Sequence, residues 1–206
     1  GTFNDSNGDL SVTGNIEYNK TLTGNIIVNG TTSGFRNVGT VGNNIFELGN
    51  YNATFAAVTF NGTISKNGAG SIVFGGLLSG SFRTALNFSG NPSVEFRGGF
   101  TSGDTAFTIP NAGTNPWRFT TNNQTFNMPF SYAGISGAIP IQIENITLSV
   151  TGAGALNTSG IINATTAGST LDNKGLITYS NAQEPMQTGV LTSTATSTFN
   201  YSGAGN

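Results

Sequence analysis

Short runs in which apolar and polar residues alternate make up most of the chain, and Gly or Asn follows nearly every run. Alternation with a period of two is typical of a β-strand with one buried face, and Gly and Asn accept the left-handed backbone of tight turns. No segment keeps apolar residues at positions i, i+3, i+4 and i+7 over three helical turns. The pattern therefore predicts an all-β chain with strands at Leu10–Val12, Ile16–Tyr18, Ile26–Val28, Ile45–Leu48, Thr54–Phe60, Ser71–Phe74, Leu86–Phe88, Val94–Phe96, Ala106–Ile109, Trp117–Thr120, Gln124–Phe126, Ile141–Ile143, Thr147–Val150, Ile161–Asn163, Leu176–Tyr179 and Thr198–Tyr201.

Internal repetition is the second feature of the pattern. Three pairs of similar segments are found: 12–17 with 22–27, 71–76 with 93–99, and 156–162 with 171–177. Units this short cannot bury their apolar residues alone, but a neighbour stacked on each unit can complete both the backbone hydrogen bonds and the apolar packing. The repeats therefore favour a stacked scaffold.

Two architectures agree with short strands closed by Gly and Asn. An antiparallel β-sandwich should contain two-residue hairpins, which Asn29-Gly30, Asn61-Gly62 and Asn67-Gly68 would suit. A solenoid should show similar segments recurring along its axis, with Asx side chains stacked at the corners. The equivalent places of Asn157 and Asp172 in the third repeat favour a right-handed parallel β-helix, and the sandwich is the alternative.

The predicted organisation is an N-terminal linker or first strands over residues 1–20 and a single β-solenoid domain over residues 21–206, as a segment of a longer fibrous protein or filament. Proline cannot donate to a strand ladder. Four prolines between Phe107 and Ile143 therefore predict an irregular middle with longer loops: Pro110, Pro116, Pro129 and Pro140.

The composition excludes several kinds of functional site. The chain contains 30 Gly, 8% charged residues and 36% hydrophobic residues, including 15 Phe, which indicates a folded chain and not a disordered one. It has no Cys and no His, which excludes disulfides, thiolate nucleophiles and the commonest general base and metal ligand. A formal net charge of -2 with 7 Lys and Arg leaves no basic patch, so we expect no nucleic-acid partner.

Targeting features are also few. No apolar run approaches the roughly 20 residues of a membrane-spanning helix, so no membrane insertion is expected. The chain begins without Met or a signal peptide. We therefore expect a processed chain or an excised piece of a longer one, working outside the cytoplasm.

The C-terminal third carries a family resemblance. The segments "GALNTSGIINATTAGSTLDNKGLITYS" and "TSTFNYSGAGN" resemble the β-strand-repeat regions of large secreted bacterial adhesins, namely haemagglutinin-like and autotransporter proteins and Bacteroidetes surface proteins. They are similar also to fibre and spike segments of tailed phages. The resemblance covers about Thr147 to Asn206. It implies a β-helical stalk or blade on a cell or virion surface, a role in attachment without catalytic residues, and partners that are a host-surface glycan or protein receptor and neighbouring repeats or copies of the same fibre.

A weak metal candidate lies near the N-terminus. Asp5, Asn7 and Asp9 alternate as oxygen ligands do in the first half of a calcium loop. Ile16 stands where that loop needs a bidentate Glu, so a polar turn is the simpler interpretation. We expect no cofactor, with calcium as the one alternative.

The acidic residues allow two interpretations, acid catalysis or simple solvation. Glycoside-cleaving β-helices use two carboxylates about 5 to 9 Å apart. Neighbouring turns could bring Glu95 close to another acid, but isolated acids that keep a sheet edge soluble are the favoured interpretation, and no enzymatic activity is expected. The isolated acids are Glu47, Glu95, Asp104, Glu144, Asp172 and Glu184.

Aromatic residues divide into core and surface candidates. Five Phe at strand positions are predicted to stack in the core: Phe74, Phe88, Phe96, Phe119 and Phe126. Trp117 lies between Pro116 and Arg118 in the proline-containing middle. Trp117 and Arg118 are therefore predicted as the contact residues for a ligand.

Glycosylation sequons are frequent, and the candidates are Asn19, Asn29, Asn52, Asn61, Asn87, Asn123, Asn145, Asn157 and Asn163. They suggest one alternative function, a glycosylated, pilin-like surface-filament subunit that assembles by exchange of a donor strand near Leu10 to Asn19. A β-helical polysaccharide-degrading spike is the other alternative.

Overall fold

The structure is a computed structural model that describes residues 63–66, 68–80, 85–102, 108–127 and 138–203, together with six short strands before residue 61. These residues form 21 β-strands, and no helix occurs among them. In chain order the strands are β1 (Ile16–Tyr18), β2 (Ile26–Ile27), β3 (Phe35–Asn37), β4 (Ile45–Glu47), β5 (Ala53–Phe55), β6 (Val58–Phe60), β7 (Thr63–Ser65), β8 (Ser71–Phe74), β9 (Leu78–Gly80), β10 (Ala85–Asn87), β11 (Ser93–Phe96), β12 (Phe100–Ser102), β13 (Thr108–Asn111), β14 (Trp117–Phe119), β15 (Gln124–Asn127), β16 (Ile141–Ile143), β17 (Thr147–Thr158), β18 (Ile162–Ala164), β19 (Thr170–Tyr179), β20 (Val190–Ser193) and β21 (Thr198–Tyr201).

Three parallel sheets contain all of these strands. The ten-stranded sheet has the order β1-β3-β6-β9-β12-β15-β17-β19-β20, with β21 also paired to β19; the six-stranded sheet has the order β18-β16-β14-β11-β8-β5; and the five-stranded sheet has the order β13-β10-β7-β4-β2. From β8 to β13 the chain visits the six-stranded, ten-stranded and five-stranded sheets in turn, twice in the same order. Every recorded pairing is parallel. The parallel β-helix is confirmed for the described residues, and an antiparallel sandwich is excluded there.

One sequence repeat coincides with the turn of the solenoid. Ser71 to Phe74 pair one to one with Ser93 to Phe96, so the similar residues lie directly above one another. The next strand, β14, continues the series, because Val94 pairs with Trp117 and Phe96 with Phe119. In this repeat, the residues that are similar in sequence also occupy equivalent positions in successive turns.

In the other two repeats, the residues that align in sequence are not paired with each other in the sheets. Leu156 pairs with Ile177, whereas Leu171 pairs with Leu148. The alignment of Leu156 with Leu171 is therefore wrong as a structural register, although the solenoid inferred from it is correct. Ile16 and Ile26, from the first repeat, lie in two different sheets.

Stacked aromatic rings form the centre of the core. Phe55, Phe74, Phe96 and Phe119 belong to adjacent strands of the six-stranded sheet and are almost fully buried. Their successive ring centroids are 5.6, 5.1 and 5.0 Å apart, with nearly parallel planes. A parallel register places equivalent side chains above one another, so the Phe residues pack as a continuous column. The predicted core positions Phe74, Phe88, Phe96, Phe119 and Phe126 are all buried.

Buried polar side chains hold the corners together. Gln124 is buried, and its Nε2 donates to the carbonyls of Phe96 and Thr120 at 2.7 and 2.6 Å, while its Oε1 accepts from the Gly99 amide at 3.0 Å. Asn173 is also buried; its Nδ2 donates to the Thr198 carbonyl at 3.0 Å and its Oδ1 accepts from the Gly175 amide at 3.1 Å. Each side chain thus satisfies backbone groups of the same turn and of a neighbouring turn.

Stacked Asx side chains at the corners were predicted at Asn157 and Asp172, and this prediction is wrong. Asn157 pairs with Thr178, and Asp172 pairs with Ser149 on one side and Thr192 on the other. The buried corner Asx is the next residue, Asn173.

Residues 108–127 of the proline-containing middle form three strands, β13, β14 and β15, and β13 pairs with β10 across a register shift. Pro110 lies in β13, whose single partner among the described strands is β10, so a missing donor is tolerated there. Pro116 and Pro140 each precede a strand, and the Pro140 carbonyl accepts from the Trp117 amide at 2.8 Å. Pro129 lies outside the described residues.

Candidate functional site

The outward surface of the six-stranded sheet carries a band of polar side chains, which we call the polar face. Its central row follows the pairing of successive strands: Glu95, Arg118, Gln142 and Asn163. Arg97, Thr120 and Glu144 flank this row just beyond the ends of their strands. Side chains alternate across a strand, so the row faces outward where its neighbours Phe96 and Phe119 face the core.

Two bidentate ion pairs organise the polar face. Arg97 Nε and Nη2 contact the two carboxylate oxygens of Glu95 at 2.7 and 3.2 Å. Arg118 Nε and Nη2 contact those of Glu144 at 2.5 and 2.9 Å. Arg118 Nη1 also lies 3.9 Å from Glu95 Oε2, which joins the two pairs into one network. Two positive and two negative charges make the network formally neutral.

The network favours the ionised form of Glu95. The hydrogen bond from Arg97 is the largest influence that lowers the pKa of Glu95; partial burial opposes it, and a hydrogen bond from Thr120 at 2.6 Å supports it. The hydrogen bond to Glu144 raises the pKa of Arg118. A general acid needs a raised pKa, so the environment of Glu95 is opposite to that of a glycosidase proton donor.

The two acids of the polar face do not resemble a glycosidase pair. Glu95 and Glu144 both bind Arg118 and so lie on either side of a guanidinium group, where such a pair would hold a sugar and a water molecule. What the arrangement offers is a fixed, planar set of hydrogen-bonding groups that a ligand can contact from outside.

A groove of about 300 Å³ runs beside the row at its β16 and β18 end. Pro116, Pro140 and Ile161 provide apolar walls, and Gln142 and Asn163 provide amides. Ile161 is one of the exposed large apolar residues of the described chain. Apolar walls with a few amides suit a ligand that has both hydroxyl groups and apolar surfaces, as sugars have.

Trp117 does not belong to this surface. Its side chain is 1% exposed, it packs at 5.4 Å from the Phe96 ring, and its Nε1 donates to the Ala112 carbonyl at 3.2 Å. The prediction of Trp117 as a contact residue is therefore wrong: its neighbouring prolines suggested a loop, but it occupies an inward position of β14. Its predicted companion Arg118, with a side chain 36% exposed, lies on the polar face.

The other acids named in the sequence analysis do not belong to the polar face. Asp172 lies on the ten-stranded sheet; burial tends to raise its pKa, but hydrogen bonds from Lys174, Thr192 and Ser149 outweigh this effect and lower it. Glu184 is exposed in the segment after β19. The side chain of Glu47 and the whole of Asp104 lie outside the described residues.

The predicted metal site also lies outside them, since Asp5, Asn7 and Asp9 all precede β1. Among the residues that the structure does describe, no three His, Cys, Asp or Glu side chains come together as a metal site. Calcium binding at Asp5, Asn7 and Asp9 stays a prediction.

Five predicted glycosylation positions fall within the described residues. Asn123 and Asn145 are exposed, and Asn87, Asn157 and Asn163 are half-buried. The Asn123 side-chain oxygen accepts from the Thr147 amide at 2.8 Å, and that of Asn163 accepts from the Ala164 amide at 2.8 Å. The other four lie outside: Asn19, Asn29, Asn52 and Asn61.

Sequence reasoning missed two features of the molecule. Gln142 and Glu144 join Arg118 on the polar face, which becomes visible only when successive turns are written in register. Lys66 is fully buried after β7, and its Nζ donates to the Ala69 carbonyl at 2.6 Å. An isolated Lys in a Gly- and Ser-rich segment gives no sequence signal of burial.

Comparison with known proteins gave no relative: no family model, no curated protein and no solved structure matches the chain. Within the part of the chain that the structure describes, no helix is long and apolar enough to cross a membrane.

Proposed function

We propose that the chain is a non-enzymatic structural segment, a stalk or blade, of an extracellular attachment fibre of the adhesin or virion-fibre type. The supporting observation is the unbroken column from Phe55 through Phe74 and Phe96 to Phe119, continued by Ile143 and Ala164 in the next two strands. Each turn packs on the turns before and after it, so the same architecture can be extended to any length. A rigid spacer needs this property.

The polar face supplies the contact surface in this proposal. Its ion pairs fix Arg118, and the groove beside it exposes the amides of Gln142 and Asn163 between apolar walls. A glycan or glycoprotein on a host surface has the matching chemistry, since its hydroxyl groups donate and accept hydrogen bonds and its ring faces are apolar.

A load-bearing segment must resist extension, which single-molecule force spectroscopy measures. With the chain held between two handle domains, we expect unfolding in steps of roughly 75 Å, because a turn of roughly 22 residues extends by at most about 3.5 Å per residue. Phe96→Ala should lower the unfolding force by opening the column, and Leu77→Ala, at an exposed position, should leave the force unchanged. Extension without measurable resistance would exclude a stalk.

Contact through the polar face needs a separate measurement. The probe is a panel of immobilised neutral and acidic oligosaccharides. We expect binding to at least one class, a loss of about tenfold in affinity for Gln142→Ala, and no loss for Ser79→Ala, which changes a half-buried position on the ten-stranded sheet. Equal losses for both variants would remove the polar face as the contact surface.

The polysaccharide-degrading alternative predicts hydrolysis. New reducing ends released from any member of a polysaccharide panel, with activity lost in Glu95→Gln or Glu144→Gln, would replace the structural proposal by an enzymatic one. The paired, ionised state of Glu95 supports the expectation of no release.

A further inference from the structure

The apolar wall of the groove beside the polar face repeats from turn to turn. Pro116, Pro140 and Ile161 each directly precede a strand of the six-stranded sheet, and these three strands pair in register. The Trp117 amide donates to the Pro140 carbonyl at 2.8 Å. The Ile141 amide donates to the Ile161 carbonyl at 2.8 Å as well, so the residues before the strands lie above one another and form an apolar row.

The groove runs along the solenoid axis and not along a strand. Its lining comes from three successive turns: Pro116 from the first, Pro140 and Gln142 from the second, and Ile161 and Asn163 from the third. Neighbouring strands in a sheet are about 4.8 Å apart, so equivalent groups recur at that interval along the groove. A molecule that contacts all three turns must therefore be a chain that lies across the strands.

The amides beside the apolar row leave hydrogen-bonding groups open to a ligand. Asn163 Oδ1 accepts from the Ala164 amide at 2.8 Å, which leaves the two donors of its Nδ2 group. Among the described residues, neither this Nδ2 group nor the half-buried side chain of Gln142 has a hydrogen-bond partner. Side-chain amides offer both donors and acceptors, which is the combination that hydroxyl groups require.

The charges near the groove are already compensated. Arg118 lies in the turn next to Gln142, and its guanidinium group contacts carboxylate oxygens of both Glu144 and Glu95. A ligand of either charge would therefore lose hydration here without finding an unpaired counter-ion. The groove thus suits an uncharged chain.

We propose that the groove binds a neutral, linear polysaccharide whose chain lies along the solenoid axis. Its ring faces rest on the apolar row, and its hydroxyl groups bind the amides of Gln142 and Asn163. A sugar unit of an extended polysaccharide is similar in length to the spacing of the turns, so successive units meet successive turns. The inference rests on the proposed role in attachment and names the class and the orientation of the glycan.

Isothermal titration calorimetry with soluble oligosaccharides of known length tests charge and orientation together. The neutral probes are cello-, manno- and xylo-oligosaccharides from the disaccharide to the hexasaccharide, and the acidic probes are oligogalacturonides of the same lengths. We expect at least one neutral series to bind, with an affinity that rises with length and levels off once the chain spans the three turns. The acidic series should bind about tenfold more weakly or less.

Asn163→Asp tests the contact without removing the backbone hydrogen bond. The carboxylate can still accept from the Ala164 amide, but it replaces the two Nδ2 donors by an acceptor, so we expect a loss of about tenfold in affinity for the neutral series. Asn157→Asp makes the same change at another half-buried position, on the ten-stranded sheet, and should bind as the wild type does. Urea midpoints of both variants verify that the fold is kept.

Three results would overturn the inference while attachment through the polar face stands. They are a preference for the acidic series, an affinity that does not depend on length, and tighter binding of poly-L-proline, an extended chain whose backbone accepts hydrogen bonds but cannot donate them. Equal affinities of Asn163→Asp and Asn157→Asp would overturn it as well. If no oligosaccharide of either class binds, the contact surface of the proposed function fails together with the inference, so the two failures are distinguishable.

Discussion

At the level of single residues, the solenoid depends on a few buried polar side chains that bind backbone groups of two turns. Gln124 is the clearest case, because its amide meets two carbonyls and one amide within 3.0 Å. A buried group that loses its partner costs about 1 to 3 kcal/mol, more than a typical hydrogen bond contributes.

Replacing Gln124 should therefore destabilise the fold. Gln124→Leu keeps the volume but leaves the Phe96 and Thr120 carbonyls and the Gly99 amide without this partner, so we expect a loss of about 2 to 4 kcal/mol in the free energy of unfolding. Urea denaturation measures the loss, with Thr125→Ala at the exposed neighbouring position as control. A loss no greater than that of the control would contradict the role of Gln124.

The ion pair of Glu95 and Arg97 predicts how stability responds to acid. The pKa of Glu95 in the folded chain lies below its ordinary value of 4.5, so its contribution to stability is complete above about pH 4.5 and disappears as the pH falls through the lower, folded-state pKa. The urea midpoint of the wild type should fall in this acid range, and Glu95→Gln should fall less steeply. Glu184→Gln, at an exposed site, should follow the wild type; identical acid profiles for all three proteins would contradict the prediction.

At the level of strands, the sequence predicts much of the six-stranded sheet and less of the other two. Segments 71–76 and 93–99 repeat the same apolar positions, and their similarity is the true register. The strands that were not predicted, such as Thr63–Ser65, Leu78–Gly80 and Phe100–Ser102, are three residues long and border Gly or Ser, so alternation has no room to appear. Their positions follow only from stacking on neighbouring turns.

The residues of the candidate site, too, could be predicted only in part from the sequence. Arg118 was predicted, but Glu144 and Gln142 lie more than twenty residues further along the chain and become its neighbours only because β14 pairs with β16. Trp117 was assigned to the wrong side of its strand because proline suggested a loop. Alternation fixes which residues share a face, but the side that faces inward depends on the turns above and below.

Corners where one turn lies on the backbone of another should not tolerate an added methyl group. A Cβ on Gly160 would lie 2.1 Å from the Ile139 carbonyl oxygen and 2.6 Å from the Pro140 nitrogen, both of which are backbone atoms. Gly160→Ala should lower the free energy of unfolding by about 1 to 3 kcal/mol or more, because the backbone must move. Ser159→Ala, at the exposed preceding position, is the control in the same urea titration, and equal midpoints for the two variants would contradict the close approach.

At the level of the whole molecule, a solenoid has no single centre, since each turn is stabilised by its immediate neighbours. Turns that contact neighbours on both sides should therefore be harder to open than a turn at an open end. The column of Phe side chains lies in the six-stranded sheet, whereas β20 and β21 belong to the ten-stranded sheet.

Hydrogen exchange should reveal this gradient. Amides of β20 and β21 should exchange well before those of β11, β14 and β16, because among the described strands β20 and β21 have a neighbour on one side only. Mass spectrometry of peptides from each segment provides the measurement. Uniform protection from β11 to β21 would show that the chain opens as one unit and would contradict the gradient.

The exact stacking of Ser71–Phe74 on Ser93–Phe96 has a genetic consequence. Two stretches of coding sequence that specify equivalent positions can recombine out of phase, and the product gains or loses one complete turn while each Phe still meets a Phe. The product must keep the reading frame, and loops at the corners can absorb differences in length. A gene built in this way can change the reach of its product by unequal crossing-over, without inventing a new fold at any step.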